Sequence, residues 1–525
     1  MKFSRHSRLW LAAASGLSLA LSFPNFNFSL LAWISVGLLV VACAGARPVD
    51  AVLCAFAHSL FFYPVCLTWV DTVMRQYGNV NPWISALLLI SIGVADGVIC
   101  LPFTCGVALA SRRSAAYACV AAPFLWVTCE LLRTHLPYIG FPWNSLGYAA
   151  SGNLALVQIT SVTGILGLSF LIAAFSSLLA YAAVARSRRA GEVALVPAVV
   201  LALIALWGGR FVPAAPARYV AHLVQTNFPQ SEEYPSDWLQ VHAAELNQLA
   251  EISVEHTPNL PTSNPLSVSA TVPAPSLIVW PEVPAPFSLQ DPPFAKLARS
   301  IAHVSQSNFL VGVVDSKVTP DPKNHAAPRW TFSNSAVLLD PAGERVFAYD
   351  KIHLVPFGEY VPLRHWLTFA KRLTADISDF TPGSEYRVGQ LPGGRFSVFI
   401  CFEAVFPNEV RRFTANGAQL LINLSNDGWF GRSAAPAQHL MMARVRAVEN
   451  RRWLLRDTNN GYTVSVDPYG RIVAEMATDI RDQLDAPYDF RSDLTPYVRF
   501  GDWLPWLCVI VSVAMLIFAF IRRRS

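Results

Sequence analysis

The stretch RFSVFICFEAVFP, from Arg395 to Pro407, carries a pattern that indicates both a fold and a chemistry. Its first half is rich in β-branched and aromatic residues, which predicts a buried β-strand. Cys401 lies where this strand should end, and Glu403 follows two residues later. Such a cysteine is either a small core hydrophobe or a nucleophile at a strand end. The rest of the sequence decides between the two interpretations.

The composition is typical of a membrane protein. The chain has 525 residues, of which only 14% are charged, and its mean hydropathy is positive. Both values are unusual for a soluble protein of this size. The net charge is only +5, and the arginines cluster beside apolar runs instead of forming a basic stripe. This distribution argues against nucleic-acid binding and is better explained by membrane topology.

Eight apolar runs are long enough to cross a bilayer, which takes about 20 residues in a helix. They lie at 8–24, 28–46, 51–70, 83–110, 115–134, 156–184, 192–212 and 503–521. The first run follows a basic N-terminus and resembles a secretory signal, but it ends in a poor cleavage site and is interpreted as an uncleaved transmembrane helix. Basic clusters between the runs fall on alternate sides, so the positive-inside rule predicts that both termini are cytoplasmic.

Between the last two runs the sequence changes character. Short runs typical of strands alternate with stretches of helical periodicity, which predicts a layered α/β domain. The topology puts this domain outside the cytoplasm. The sequence therefore predicts a membrane domain of seven transmembrane helices over 1–212, an extracytoplasmic domain over 213–502, and a final transmembrane helix with a basic cytoplasmic tail over 503–525.

The cysteines divide unevenly between these parts. Eight of the nine lie in or beside apolar runs, and Cys401 is the only cysteine in the segment 213–502. A disulfide framework therefore cannot form within that segment. Because a thiol in an oxidising compartment is at risk of oxidation, this position favours a chemical role for Cys401 over a packing role.

Three reactive side chains each follow a predicted strand. Glu282 follows LIVWP, Lys351 follows RVFAYD and Cys401 follows RFSVFI. Ligands bind at the carboxyl ends of strands in open α/β sheets, so the three should meet at one edge if their strands are parallel neighbours. A thiol nucleophile needs a base, and an acyl group under attack needs a donor for its oxyanion. The trio predicts a nucleophilic Cys401, a basic Glu282 and an oxyanion-stabilising Lys351. The backbone N–H of Phe402 is a second candidate oxyanion donor.

Four motifs, in this order, resemble those of the nitrilase superfamily: WPE at 280–282, DKIHLVPFGEYVP at 350–362, ICFEAVFP at 400–407 and SNDGWFG at 425–431. Three more are similar to segments of the bacterial apolipoprotein N-acyltransferases: FPWNSLGY at 141–148, QHLMMARVRAVE at 438–449 and DTNNGYT at 457–463. The resemblance covers nearly the whole chain. It implies an integral membrane α-helical bundle of about eight transmembrane helices that carries an α/β nitrilase-like domain, an α-β-β-α sandwich.

The resemblance also implies roles for individual residues. It makes Glu282 the general base, Lys351 the oxyanion stabiliser and Cys401 the nucleophile. Glu359 corresponds to a second glutamate that supports the site, and Glu403 corresponds to an acid beside the nucleophile.

The position after the nucleophile is often tyrosine in this family but is Phe402 here. Any role for a hydroxyl at that position is therefore lost or moved, whereas a contribution from its backbone N–H is unaffected.

The implied reaction is a two-step acyl transfer. The cysteine takes a fatty acyl chain from a membrane phospholipid, with phosphatidylethanolamine as the expected donor. The thioester then acylates the α-amino group of the diacylglyceryl-cysteine of an apolipoprotein. The expected location is the bacterial inner membrane, with the catalytic domain on the periplasmic side. We expect no cofactor and no metal, because the sequence contains no metal-ligand motif.

Further residues are candidates for the pocket and its cover. Asn334, Asn426 and Trp429 lie near the motifs and either line the pocket or serve packing and turns. Trp143 is either an interface anchor or part of a lipid entrance. A thioester must be shielded from water, and the candidate cover is the loop after Lys351, with Phe357 and Tyr360, together with the region 363–385.

Two other functions stay open at this point. A membrane-tethered amidase or nitrilase would use the same chemistry on small amides. A transporter or receptor would only bind a ligand with its outer domain. Against the transporter, the apolar runs contain few ionisable residues, mainly Asp96 and Glu130, and translocation paths usually contain more.

Overall fold

The computed structural model describes residues 3–136, 140–185, 188–230, 237–255, 277–283, 287–320, 328–360 and 380–521. The chain divides into two units. The first, called the helical unit, comprises Met1–Pro213, Arg432–Val445 and Thr495–Ser525. The second, called the sandwich unit, comprises Ala214–Gly431 and Arg446–Leu494. Residues 432–445 thus group with the helical unit, although they lie within the polar segment of the sequence.

The helical unit is built from apolar helices, of which six in the described part of the chain are long enough to cross a membrane. They are Pro48–Cys66, Pro82–Ala110, Ala115–His135, Ile165–Ala185, Gly191–Phe211 and Trp503–Ile521. Each corresponds to a predicted span. The first two predicted spans form the shorter helices Arg5–Ala20 and Ser29–Cys43, because turns around Pro24 interrupt the apolar sequence. The predicted count of eight full-length spans is therefore not reproduced.

Smaller helices complete the helical unit. They are Thr68–Gln76, Thr160–Thr163 and Pro496–Phe500, together with the first part of Ala435–Asn450.

Buried polar contacts join the long helices. Arg133 donates to Asp96 Oδ1 from Nε at 2.9 Å and from Nη2 at 2.6 Å. The same guanidinium lies 5.2 Å from the centroid of the Tyr63 ring. Glu130 Oε1 accepts the Leu146 N–H at 2.7 Å. Both carboxylates noted in the apolar runs therefore make contacts inside the helical unit, as expected for charges buried among helices.

The sandwich unit contains two sheets built from strands that are, in chain order, β1 (Tyr219–Gln225), β2 (Leu277–Val279), β3 (Asn308–Pro320), β4 (Pro328–Leu339), β5 (Arg345–Asp350), β6 (Gly389–Leu391), β7 (Gly394–Ile400), β8 (Leu420–Ser425), β9 (Trp453–Thr458), β10 (Val464–Val466), β11 (Ile472–Glu475) and β12 (Asp482–Tyr488). The sheet orders are β12-β1-β2-β3-β4-β5 and β11-β10-β9-β8-β7-β6. Strands β1 to β3 are parallel to one another, as are β7 to β9, and the remaining neighbours are antiparallel.

Helices cover the outer faces of the two sheets. Helices Ala243–Val254 and Pro292–Ser305 pack on the first sheet through an apolar core that includes Leu249, Ile301 and Trp280. The amphipathic spacing of these helices, with apolar residues three and four apart, explains why one face is buried.

Helix Pro407–Ala415 packs on β7 of the second sheet. Between the sheets, β1 contacts β9 and β4 contacts β7. The ring centroids of Phe347 and Phe396 lie 4.9 Å apart. The expected α-β-β-α sandwich is confirmed.

The strands that precede the three reactive residues are not parallel neighbours. Strands β2 and β5 belong to the first sheet but are separated by β3 and β4, and β7 belongs to the second sheet. The condition under which one sheet edge would collect all three side chains is therefore not met. Their meeting depends on how the two sheets stack, which no local sequence pattern encodes.

The ion pair between Arg133 and Asp96 generates a stability prediction. Arg133→Ala leaves the Asp96 carboxylate buried without its cation, which should cost about 3–5 kcal/mol and lower the thermal midpoint of the protein in detergent. The double variant Arg133→Gln/Asp96→Asn removes both charges and should lose less. The matched control is Arg75→Ala, because Arg75 pairs with Asp71 at the surface at 3.5 Å and should matter little. Equal midpoints for Arg133→Ala and Arg75→Ala would contradict the prediction.

Candidate active site

Glu282 lies three residues after strand β2, and the intervening Trp280 and Pro281 are buried. The Trp280 N–H donates to the Leu310 carbonyl at 2.8 Å, so the chain stays bound to β3 after the strand ends. This close approach requires glycine at 312, because a Cβ there would overlap the Pro281 carbonyl. The glutamate is only 6% exposed.

Lys351 follows β5 directly. Its N–H donates to the Asn334 carbonyl at 2.8 Å, which fixes the backbone beside β4. The lysine is only 1% exposed. A buried ammonium group needs compensating charge and hydrogen bonds, and two glutamates supply them.

The Lys351 ammonium and the Asn334 amide bridge the same two carboxylates. Lys351 Nζ lies 3.0 Å from Glu282 Oε1 and 3.0 Å from Glu359 Oε1. Asn334 Nδ2 donates to the same two oxygens at 2.8 and 2.7 Å. Each Oε1 atom therefore accepts two hydrogen bonds, and the two like charges are held together by shared donors.

The other oxygen of each carboxylate binds backbone. Glu282 Oε2 accepts the Asn426 N–H at 2.8 Å, and Glu359 Oε2 accepts the Val355 N–H at 2.8 Å. Both side chains are consequently fixed at both oxygens. Asn426 thus takes part through its main chain, which a search for reactive side chains cannot detect.

Cys401 begins a tight turn at the end of β7. Its φ is +49°, a left-handed conformation that costs energy in any residue with a Cβ and is often found at functional sites. The turn continues as a short 3-10 helix, Cys401–Val405. Glu403 closes it, because Glu403 Oε2 accepts the Ile400 N–H at 2.6 Å.

The electrostatics of the site keep the thiol protonated at rest. Burial raises the pKa of Cys401, the Glu282 carboxylate raises it further, and Lys351 and a hydrogen bond with Ser425 partly offset both. Burial alone would lower the pKa of Lys351, but Glu282 and Glu359 outweigh it and raise the pKa above its ordinary value. The arrangement is a neutral thiol near a carboxylate and a permanent cation. Such a thiol needs a base to become a nucleophile.

Glu403 joins the cysteine turn to the segment after Lys351. Its Oε1 accepts from the Tyr349 hydroxyl at 2.7 Å and from the N–H groups of Ile352 at 2.8 Å and His353 at 3.1 Å. Burial raises the pKa of Glu403 to about 7, although these donors favour the charged form. Its contacts in this structure are those of a group that holds two loops together.

The remaining candidates occupy different environments. Phe402 is buried, with its ring 5.7 Å from that of His353. Trp429 is 40% exposed. Phe357 is also exposed, with φ at +62°, and its N–H donates to the Tyr360 carbonyl at 2.8 Å. Residues 363–379 of the proposed cover lie outside the described residues.

Trp143 belongs to the helical unit. It is buried, and its Nε1 donates to Gln438 Oε1 at 2.7 Å. Gln438 Nε2 in turn donates to the Cys66 carbonyl at 3.1 Å. The tryptophan is thus anchored within its own unit.

The shared donor Asn334 can be tested directly. In Asn334→Ala the two carboxylates keep only Lys351 as a common donor, so we expect a loss of about 1–3 kcal/mol in stability and slower alkylation of Cys401. The matched control is Ser333→Ala, which removes a hydrogen bond of 3.0 Å to the Thr381 carbonyl from the adjacent position of β4. The measurements are thermal midpoints and iodoacetamide alkylation rates. Alkylation of Asn334→Ala at the control rate would contradict the bridging role.

The raised pKa of Glu403 predicts a pH dependence of stability. An acid with a higher pKa in the folded state binds more protons when folded, so its contribution to stability falls as the pH rises from 4.5, its ordinary value, to about 7. Glu403→Gln should lack this fall. It should also be less stable at every pH, because its NH₂ group would face the Ile400 N–H. Thermal midpoints between pH 4 and 8 test this, and equal slopes in both proteins would refute it.

Two family models match the chain. Residues 15–178 match the apolipoprotein N-acyltransferase N-terminal domain. Residues 243–489 match carbon-nitrogen hydrolase.

Similar proteins cover nearly the whole sequence. The apolipoprotein N-acyltransferase of Geobacter metallireducens is 34% identical over 525 residues, covering 98% of this chain and 95% of that protein. The apolipoprotein N-acyltransferase of Methylococcus capsulatus is 30% identical over 523 residues, covering 98% of this chain and 96% of that protein. Among solved structures, Saccharomyces cerevisiae Nit3, a member of branch 10 of the nitrilase superfamily, is 18% identical with a TM-score of 0.37, covering 53% of this chain and 93% of its own. Because the match to both acyltransferases extends over nearly their full length, the chain belongs to the apolipoprotein N-acyltransferase family.

Proposed function

We propose that the protein transfers a fatty acyl chain from a membrane phospholipid to the α-amino group of the diacylglyceryl-cysteine of apolipoproteins. The observation that carries this proposal is the buried group of Glu282, Lys351 and Cys401 in a chain whose described part also contains six long apolar helices. Both proposed substrates are held in a bilayer by acyl chains, so an enzyme that joins them needs membrane helices. A hydrolase of small soluble amides does not.

In the first half-reaction Glu282 removes the thiol proton of Cys401 as the sulfur attacks the ester carbonyl of the phospholipid. The C–S bond forms while the carbonyl π electrons move to oxygen, and Lys351 and the Phe402 N–H stabilise that oxyanion. Collapse breaks the ester C–O bond. The departing oxygen takes the proton from Glu282, which leaves a lysophospholipid and an acyl thioester.

In the second half-reaction the α-amino group attacks the thioester carbonyl. Glu282 accepts a proton from the nitrogen as the C–N bond forms, and the same donors hold the oxyanion. The C–S bond then breaks, and the sulfur regains a proton from Glu282. The amide product is the triacylated lipoprotein.

Glu359 and Asn334 have positioning roles in this scheme. They hold Lys351 and Glu282 in place without touching the reacting carbonyl. Within the described residues the Lys351 ammonium contacts these two carboxylates, and because it carries three hydrogens it can donate a third to the oxyanion. The network therefore leaves one donor of a permanent cation for catalysis.

The proposed acyl donor is phosphatidylethanolamine, and the proposed location is the bacterial inner membrane with residues 213–502 on the periplasmic side. The distribution of basic residues supports this orientation, with Arg5, Arg8, Arg112 and Arg113 in positions expected to be cytoplasmic. The restriction of the polar segment to a single cysteine is consistent with an oxidising compartment.

Intact-mass measurement of the purified protein with phosphatidylethanolamine tests the mechanism. We expect an adduct of acyl mass on Cys401 that hydroxylamine removes, since hydroxylamine cleaves thioesters. Cys401→Ala should form no adduct. Wild-type protein without an adduct would overturn the proposal, and release of ammonia from small amides without acylation would favour an amidase instead.

Variants of the other two residues test their roles. Glu282→Gln and Lys351→Ala should reduce acylation by at least about a hundredfold with the fold retained. The matched control is Lys317→Ala, because Lys317 is an exposed lysine of the same sheet, paired with Asp350 at 2.6 Å. Normal acylation by either variant would remove that residue from the mechanism.

A further inference from the structure

Cys401 directly follows strand β7, and Ser425 is the last residue of the neighbouring strand β8. The two strands are parallel, and Ile400 pairs with Leu424. The residues after this pair are the cysteine on one side and the serine on the other, so they lie at the same level. Ser425 is fully buried, and its hydroxyl is in hydrogen-bonding contact with the Cys401 side chain.

The Ser425 hydroxyl has a second partner behind it. It donates to Asp427 Oδ1 at 2.9 Å. A hydroxyl carries only one hydrogen, so it cannot donate to Asp427 and to a thiolate at the same time. In the resting state the neutral thiol can donate to the serine oxygen while the serine donates to the aspartate.

Asp427 does not depend on Ser425 for its neutralisation. Arg456 Nη2 donates to both of its oxygens, at 3.0 and 2.8 Å, and both residues are buried. Gly461 makes room for this pair, because a Cβ there would overlap the Asp427 carboxylate. The aspartate can therefore lose the serine hydrogen bond and still keep its charge compensated.

We propose that Ser425 is a catalytic hydrogen-bond donor that turns from Asp427 to the Cys401 sulfur as the thiol loses its proton. This inference rests on the proposed role of Cys401 as nucleophile. The S–H bond breaks and its proton goes to Glu282. The serine O–H bond stays intact and only changes its acceptor.

The charges around the sulfur explain why such a donor is needed. Two carboxylates, Glu282 and Asp427, oppose a negative sulfur, and Lys351 favours it. That cation is already shared between Glu282 and Glu359. Arg456 compensates the charge of Asp427. A neutral hydroxyl adjacent to the sulfur stabilises the thiolate without adding another charge to a buried site.

The test is the pH dependence of iodoacetamide alkylation at Cys401 in the full-length protein, followed by peptide mapping. We expect Ser425→Ala to slow alkylation at neutral pH by about tenfold or more and to move the midpoint of the pH profile upward by about one unit, because a hydrogen bond to a charged group is lost. Ser397→Ala is the matched control, since Ser397 is a buried serine of β7 that donates to the Arg387 carbonyl at 2.7 Å. It should leave rate and midpoint unchanged.

A second pair of variants separates the hydroxyl from packing. Threonine and valine have nearly the same shape, so Ser425→Thr should retain most of the reactivity and Ser425→Val should lose it. Equal profiles for these two variants, or a wild-type profile for Ser425→Ala, would overturn the inference. Acylation of the wild type by phospholipid is measured separately. Its absence would refute the proposed function, whereas the alkylation profiles alone decide the role of Ser425.

Discussion

The site depends on one buried cation held between two carboxylates. Lys351 and Asn334 each donate to Glu282 and to Glu359. Without these shared donors, two like charges in a buried site would repel each other. The proposed base would then lose its position. The same ammonium supplies the proposed oxyanion donor, so a single interaction sets the charge, the geometry and the chemistry of the site.

The two sheets contribute different parts of this arrangement. The first sheet positions Glu282 and Lys351, and the second positions Cys401. Glu403 links them, because its two oxygens bind the end of β7 and the segment after β5. A carboxylate beside a cysteine suggests acid–base chemistry, yet this one accepts hydrogen bonds from three backbone N–H groups and the Tyr349 hydroxyl. The stacking of the two sheets is therefore a condition for assembling the site.

Buried charges with a specific charged partner occur in both units. Asp96 binds Arg133 among the apolar helices, and Asp427, two residues after β8, binds Arg456 of β9. Such pairs contribute little net stability but become costly when one member is removed. They restrict how neighbouring elements can pack. Beside Cys401, the pair of Asp427 and Arg456 stays in place without a hydrogen bond from Ser425. In our proposal the Ser425 hydroxyl can therefore change its acceptor from Asp427 to the Cys401 sulfur.

The sequence by itself determined the membrane character, the layered α/β domain, and Glu282, Lys351 and Cys401 as candidates, because apolar length, alternation and strand-end residues are local signals. It also carried the motifs of the family. Only the tertiary structure decided that the strands before the trio lie in two sheets, that Asn334 bridges two carboxylates and that Asn426 binds Glu282 through its backbone. The reason is that sheet order, stacking and hydrogen-bond partners join residues far apart in the chain, and residue type and spacing do not encode those distances.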